Sequence, residues 1–259
     1  MLEEFKDLWV YRGVLWNLIS QQLKIRYRRS TLGFLWTLLN PLLSMAILII
    51  VFSNIMKFPQ KDYAVYLFSG LVPWIFFSQT IELGKSIFIM NEQFLRRIYV
   101  PKNIFPLSVV FSNLVNFILS LVVLFVLGKI FFDVKISMAL LFLPISILTL
   151  IIFASAITMF FSVLSVFYRD FAHLTSILLM LLFYATPIIY PADLLPQKYL
   201  LILRLNPMYH IIDLFHRPIF YHTLPGLENI LIAFIVSIGT FVIAFGFLSI
   251  NRYNVVYRL

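Results

Sequence analysis

Gly84, Lys85 and Ser86 spell the tail of a phosphate-binding loop, in which backbone N–H groups cradle a nucleotide's phosphates and a lysine reaches the outermost ones. The loop also needs a glycine at position 79, which is Gln79, and a strand before it, where this chain has a long apolar run. Nucleotide binding by this chain is therefore not expected. His210, Asp213 and His216 recur every third residue, roughly along one helical face. Their side chains suit a metal, but a metal site needs further ligands in a closed geometry, and polar residues on a wet helix explain them equally. The carboxylates are scattered, and Glu82 lies at the edge of an apolar run, one turn before Lys85. A proton- or ion-coupled carrier keeps ionisable groups near mid-membrane, and a transferase needs clustered acids or histidines. There is no cysteine, hence no disulfide, iron–sulfur site or thiol nucleophile. What remains is mild polarity beside aromatic rings. Rings stack on flat, hydroxylated ligands as they do on bases. Trp74, Phe77 and Tyr190, with Asn113 and Asn116 as polar partners, are the candidates for such a path. All five are equally readable as packing residues, and Tyr63 and Tyr66 as anchors at the end of a membrane span.

These residues sit in a chain of 259 residues that is 62% hydrophobic and only 12% charged. Ordinary domains are about 45–50% apolar and about 25% charged. With a mean hydropathy of +0.97, a soluble enzyme, a disordered tail and a coiled coil are excluded, and an all-α integral membrane protein is expected. Six runs approach the ~20 residues that cross ~30 Å of hydrocarbon: Gly33–Ser53, Tyr63–Leu83, Phe105–Leu127, Pro144–Phe167, Leu174–Tyr190 and Leu227–Ile250. Before them, residues 1–32 lack the pattern of a cleaved signal peptide. They read as an amphipathic helix with Trp9, Leu15, Trp16, Ile19 and Leu23 on one face, lying in the membrane interface or packed on another helix. Residues 33–259 form the transmembrane domain. Within it, 85–103 is a basic loop, and 191–222 is too apolar for water yet interrupted by Pro191, Pro196, Pro207 and Pro218. Short apolar helices at membrane depth survive only when buried in protein or lining a cavity. A re-entrant gate between spans five and six is therefore expected.

The net charge of +9 is explained by loops that fix orientation rather than by nucleic acid, for which the chain has no basic soluble domain. Most Lys and Arg fall on one side, with Arg26, Arg28 and Arg29 beside the first span and Arg96, Arg97 and Lys102 in the 85–103 loop. Both termini are then cytoplasmic.

The stretch Arg26–Leu43, RYRRSTLGFLWTLLNPLL, resembles the permease subunit of type-2 ABC exporters, in the branch that moves polysaccharides such as O-antigen, capsule or teichoic acid. Tyr168-Arg169-Asp170, the run from Thr186 to Pro191, and Asn206-Pro207-Met208 follow in the same order as in that family. The resemblance implies a homodimer with two copies of a separate ABC ATPase, which carries the ATP and magnesium, while this chain is non-catalytic and binds no cofactor. It implies an inner-membrane location and a lipid-linked polysaccharide as substrate. Asn91, Glu92, Phe94, Leu95, Arg96 and Arg97 become the coupling helix that docks on the ATPase. Arg26, Arg28, Arg29, Arg169 and Asp170 mark where substrate enters from the cytoplasm, and the segment after Pro191 becomes the outer gate. A drug or small-lipid permease shares the scaffold and is the nearer rival; a membrane-embedded glycolipid transferase is the more distant one. Orientation is testable: a Leu2→Cys label is expected to resist an impermeant thiol reagent in whole cells and a Gln197→Cys label to react. The reverse pattern inverts the topology.

Overall fold

The computed structural model describes residues 9–27, 35–56, 59–131 and 135–259, and every regular element among them is helical. The helices are α1 (Arg12–Tyr27), α2 (Leu35–Met56), α3 (Gln60–Gly84), α4 (Ile87–Met90), α5 (Glu92–Arg97), α6 (Ile104–Phe131), α7 (Leu143–Phe167), α8 (Asp170–Tyr184), α9 (Gln197–Arg204), α10 (Pro207–His216) and α11 (Leu227–Arg258). The spans around α3, α6, α7 and α11 are long and apolar enough to cross a membrane. The apolar window of α3 is 83% buried and that of α11 only 22%. The first is the post around which the others pack; the second lies at the periphery. The 22-residue α2 has no charged residue, and it turns Leu43, Ile47, Ile50 and Ile55 outward.

The expected fifth run is divided. Helix α8 begins earlier, with Asp170 in its first turn, where a carboxylate meets the positive end of the helix dipole. It stops at Tyr184 after 15 residues, about 22 Å at 1.5 Å per residue. Pro187 explains the stop, because the residue before a proline is pushed out of the helical region and the proline offers no N–H.

The stretch after Tyr184 leaves Thr186, Ile188 and Ile189 buried without regular structure, so its carbonyls need partners. They find them on α3 and α10. The Tyr63 hydroxyl donates to the Ile189 carbonyl at 2.8 Å, and the Tyr66 hydroxyl lies 2.8 Å from the Pro187 carbonyl and 2.9 Å from that of Tyr190. Asn206 donates to the Ala185 carbonyl and to the Thr186 hydroxyl, while its own oxygen caps α10 at Met208 N–H. His216 Nε2 donates to the Pro187 carbonyl at 3.1 Å. In the neutral ring Nδ1 then accepts from Ser69, 2.7 Å away. The His216 ring stacks on Tyr66 with centroids 4.3 Å apart. Gly70 makes room for it: a Cβ there would sit 2.8 Å from the imidazole. Tyr63 and Tyr66 are thus structural clamps rather than interface anchors.

In the 191–222 segment the prolines start helices instead of ending them. Pro196 precedes α9 and Pro207 opens α10, positions where the missing N–H would be unpaired anyway. Helix α10 is almost wholly buried, whereas α9 exposes Tyr199, Leu201 and Ile202. At the opposite end of the molecule a second apolar core joins Leu18 of α1 and Leu95 of α5 to Phe105, Val163 and Leu248. There Gly84 abuts Thr158 so closely that a Cβ would overlap its methyl group. Tyr66→Phe strips a buried clamp and is expected to destabilise the protein by about 1–3 kcal/mol. Chemical unfolding in micelles measures this, and an unchanged midpoint contradicts the clamp.

Candidate translocation groove and coupling surface

Helices α2, α3 and α8 enclose an open groove of about 560 Å³. From α3 come Leu71, Trp74, Ile75, Ser78, Gln79 and Glu82; from α8 come Ser176, Leu179, Met180 and Phe183; Leu48 comes from α2. On both α3 and α8 these residues recur at three- and four-residue steps, a single helical face. The face grades from apolar to polar toward Glu82 and Ser176. Trp74 is held between Phe77 and Phe183, with ring centroids 5.7 and 5.5 Å away.

Below the groove, the Lys85 ammonium is buried and fully occupied. It donates to the Glu82 carboxylate, to the Ala172 carbonyl at 2.7 Å and to Ser176 Oγ at 2.8 Å. Ser176 in turn donates to Glu82 at 2.9 Å. This cluster ties the end of α3 to α8. Glu82 therefore marks a helix end beside Lys85, and it also joins two helices. Gly84-Lys85-Ser86 forms the close of α3, not a phosphate loop.

Of the sequence's five path residues, only Trp74 lines the groove. Phe77 is buried behind it and stacks on Phe153 at 5.5 Å with an 11° interplanar angle. Tyr190 donates its hydroxyl to the Tyr184 carbonyl at 2.8 Å. Asn113 and Asn116 are buried on α6. Asn113 accepts from Arg26 at 2.7 Å, and Gln22 exchanges hydrogen bonds with Ser108 and Ser112. That polar seam, with Leu18 and Ile19, docks α1 onto α6, while Trp9 and Trp16 face outward. The amphipathic stripe expected from sequence is therefore split: Ile19 turns inward and the tryptophans do not. Arg28 and Arg29 lie outside the described residues. Arg169 and Asp170 are exposed at the start of α8.

His210, Asp213 and His216 do not converge. The nitrogens of His210 meet Asn229 and the Arg204 carbonyl. Asp213 accepts from Arg217 and Asn229, and His216 belongs to the clamp. Among the described residues no group of three or more His, Cys, Asp and Glu could hold a metal ion.

The 85–103 loop folds into α4 and α5 with Asn91 between them, its side-chain amide donating to the Ile87 carbonyl at 2.8 Å. Leu95 is buried in the protein's own core and Phe94 packs edge-on against Phe105. The outward surface is instead Met90, Gln93, Arg96 and Arg97. Arg96 pairs with Glu92 at 3.0 Å, an exposed contact of small worth. The sequence signal for Phe94 and Leu95 is their chemistry: they are the two apolar residues of Glu92–Arg97.

A bundle of apolar helices with a lined groove on one face and a basic surface loop at one end has the form of a transport permease. The family described as ABC-2 type transporter matches residues 13–220, and the chain belongs to it. It is thus a multi-pass membrane protein and the non-catalytic permease part of an ABC exporter, which implies an ATPase partner. It is 35% identical over 240 residues to the O-antigen export system permease protein RfbA of Myxococcus xanthus, covering 92% of each chain. A Klebsiella pneumoniae protein of the same description is 33% identical over 232 residues, 86% of this chain and 87% of that one. The polysialic acid transport protein KpsM of Escherichia coli is 25% identical over 203 residues, 76% of this chain and 77% of that one.

The cluster below the groove generates a double-variant test. Lys85→Met leaves Glu82 and Ser176 without their cation and is expected to lower the melting temperature. Adding Glu82→Gln is expected to recover part of that loss. Strict additivity of the two changes excludes the coupling.

Proposed function

We propose that this chain is the transmembrane subunit of an ATP-driven exporter that carries a lipid-linked, O-antigen-like polysaccharide across the cytoplasmic membrane. The observation that carries this reading is the likeness to an O-antigen export permease through 92% of the chain. The groove supports it: an open channel face with one held indole and small polar groups suits a hydroxylated polymer that must slide without lodging. Each ring stack offers only about 1–3 kcal/mol, by analogy with bases on aromatics.

In this reading α2, α3, α6, α7, α8 with the turn after it, and α11 are the six spans, with both termini cytoplasmic. Two copies of the chain face each other across their grooves, and two ATPase subunits hold ATP and magnesium. Trp74, Ser78 and Gln79 line the path. Phe77 stiffens Trp74 from behind, Tyr190 shapes the outer turn, and Asn113 and Asn116 belong to the wall that α6 presents to α1. The clamp around Thr186–Tyr190 fixes the outer gate formed by α9 and α10. Helix α1 lies in the interface with Trp9 and Trp16 toward lipid headgroups. Arg26, Arg28, Arg29, Arg169 and Asp170 stand where the substrate enters from the cytoplasm. Asn91 to Arg97 form the coupling element: Leu95 and Phe94 seat it in the permease, and Gln93, Arg96 and Arg97 meet the ATPase.

In cells that make the polymer and depend on this permease, Trp74→Ala is expected to lower surface polymer at least five-fold, the equivalent of about 1 kcal/mol of lost stacking. Assembly and basal ATP hydrolysis should stay intact. Gln93→Ala with Arg97→Glu is expected to leave the protein in the membrane and abolish export-linked ATP hydrolysis. Normal polymer export by both variants overturns the path and the coupling surface. Loss of drug resistance with polymer export untouched favours the small-molecule permease.

A further inference from the structure

A second groove, of about 470 Å³, lies between residues 95–103 and the last turns of α11. Three membrane-length helices end around it. Helix α6 begins at Ile104, α11 ends at Arg258, and the Arg258 guanidinium sits 4.5 Å over the ring of Phe167, the last residue of α7. The groove is therefore at a membrane surface whichever way the chain is oriented.

Its lining has one sign of charge. Arg96, Arg97, Lys102 and Arg252 contribute four cations, and no acidic residue lines it. Arg96 shares its charge with Glu92 at the rim. Lys102 Nζ donates to the Val100 carbonyl at 3.2 Å and stands 5.8 Å from the Tyr99 ring. Burial holds its pKa below the ordinary lysine value, so an anion beside it would be favoured. The other walls are apolar or aromatic. Leu248 and Val256 form one side, while Tyr99, Tyr253 and Tyr257 stand 64%, 68% and 91% exposed around the mouth. Tyrosines at the ends of apolar helices favour the headgroup layer.

We propose that this groove binds the phosphate headgroup of an anionic phospholipid, whose acyl chains enter the bilayer beside α11. The cations match the phosphate, the tyrosines match the glycerol layer, and Val242, Ile243 and Ile250 on the open side of α11 match the chains. Basic pockets between span ends are suited to such headgroups. The site shares Arg96 and Arg97 with the coupling element, so a bound lipid would steady α5 where it meets the ATPase. The proposal rests on the multi-pass placement of the chain and not on the identity of its exported substrate.

Native mass spectrometry of the purified full-length protein, titrated with phosphatidylglycerol or phosphatidylcholine, tests it. The wild type is expected to retain phosphatidylglycerol preferentially. Lys102→Gln with Arg252→Gln should cost about five-fold in that affinity per charge, about thirty-fold together. The charge-preserving Lys102→Arg with Arg252→Lys should retain binding, and phosphatidylcholine should be held equally by all three. Tyr257→Glu, at the most exposed lining position, should also weaken phosphatidylglycerol and stands in if the double variant does not fold. Equal retention of both lipids by the wild type overturns the proposal, as does unchanged phosphatidylglycerol affinity in the variants. Displacement of the lipid by millimolar inorganic phosphate reduces the groove to a bare anion site and also overturns it. If the glutamine variants keep the lipid but lose the ATPase subunit on copurification, the groove belongs to that partner instead.

Discussion

Irregular backbone buried among apolar side chains must have its polar groups answered from within the protein, and the turn after Tyr184 is where this chain meets that demand. The carbonyls of Ala185, Pro187, Ile189 and Tyr190 each draw a specific side chain toward them. Tyr63 and Tyr66 come from the central helix, Asn206 from the cap of α10, and His216 from the end of α10. Those partners come from two separate parts of the chain, α3 and the two ends of α10, so the turn sets how they sit relative to one another. Gly70 belongs to the same arrangement, since the imidazole can approach the turn only over a residue without a side chain. The wall of the groove follows from it: with α8 stopped and clamped, Phe183 comes to rest against Trp74.

Two cations elsewhere follow the same rule. Lys85 is closed off by a carboxylate, a carbonyl and a hydroxyl, which is how a desolvated ammonium avoids a large penalty. Arg26 is held on Asn113 beside Gln22 and its two serines. These seams fasten the helices at one end of the molecule as the turn does at the other. Between them the groove's polar groups are neutral except for Glu82, whose carboxylate is already held by Lys85.

The helical, membrane-embedded class was legible because it rests on composition, and composition needs no contacts to be read. The boundaries of α3, α6 and α7 were legible to within four residues for the same reason, whereas α11 starts at the expected Leu227 but runs eight residues past Ile250 through a polar end that hydropathy does not register. The division of the fifth run was half visible: Pro187 was in plain sight, but a hydropathy pattern carries through a proline whose neighbours are all apolar. The roles of Tyr63 and Tyr66 were hidden because a tyrosine at a span end looks alike whether it faces headgroups or a buried carbonyl. Trp74 was found through its depth in the run, and Ser78, Gln79 and Glu82 share its face at helical spacing, a signal present in the sequence that only α8 makes meaningful. Asn113 was read as a path residue because nothing local shows that Arg26, 87 positions away, would reach it. Leu95 turns inward to join the apolar cluster that also holds Val100 and Phe105.

Helix α11 runs unbroken for 32 residues, about 48 Å at 1.5 Å per residue, against roughly 30 Å of hydrocarbon. It has no proline inside to absorb the difference, so the excess is taken up by lean and by the turns that project past the lipid tails. Its long contact with α7 makes any lean a property of the pair. A thinner or thicker bilayer would rotate that pair like a mast in a shifting deck, swinging Tyr253 and Tyr257 through the headgroup layer beside the proposed coupling element. If that element couples the two subunits, acyl-chain length, a property of the host's lipid and not of the protein, becomes one of the settings on which the transport cycle runs.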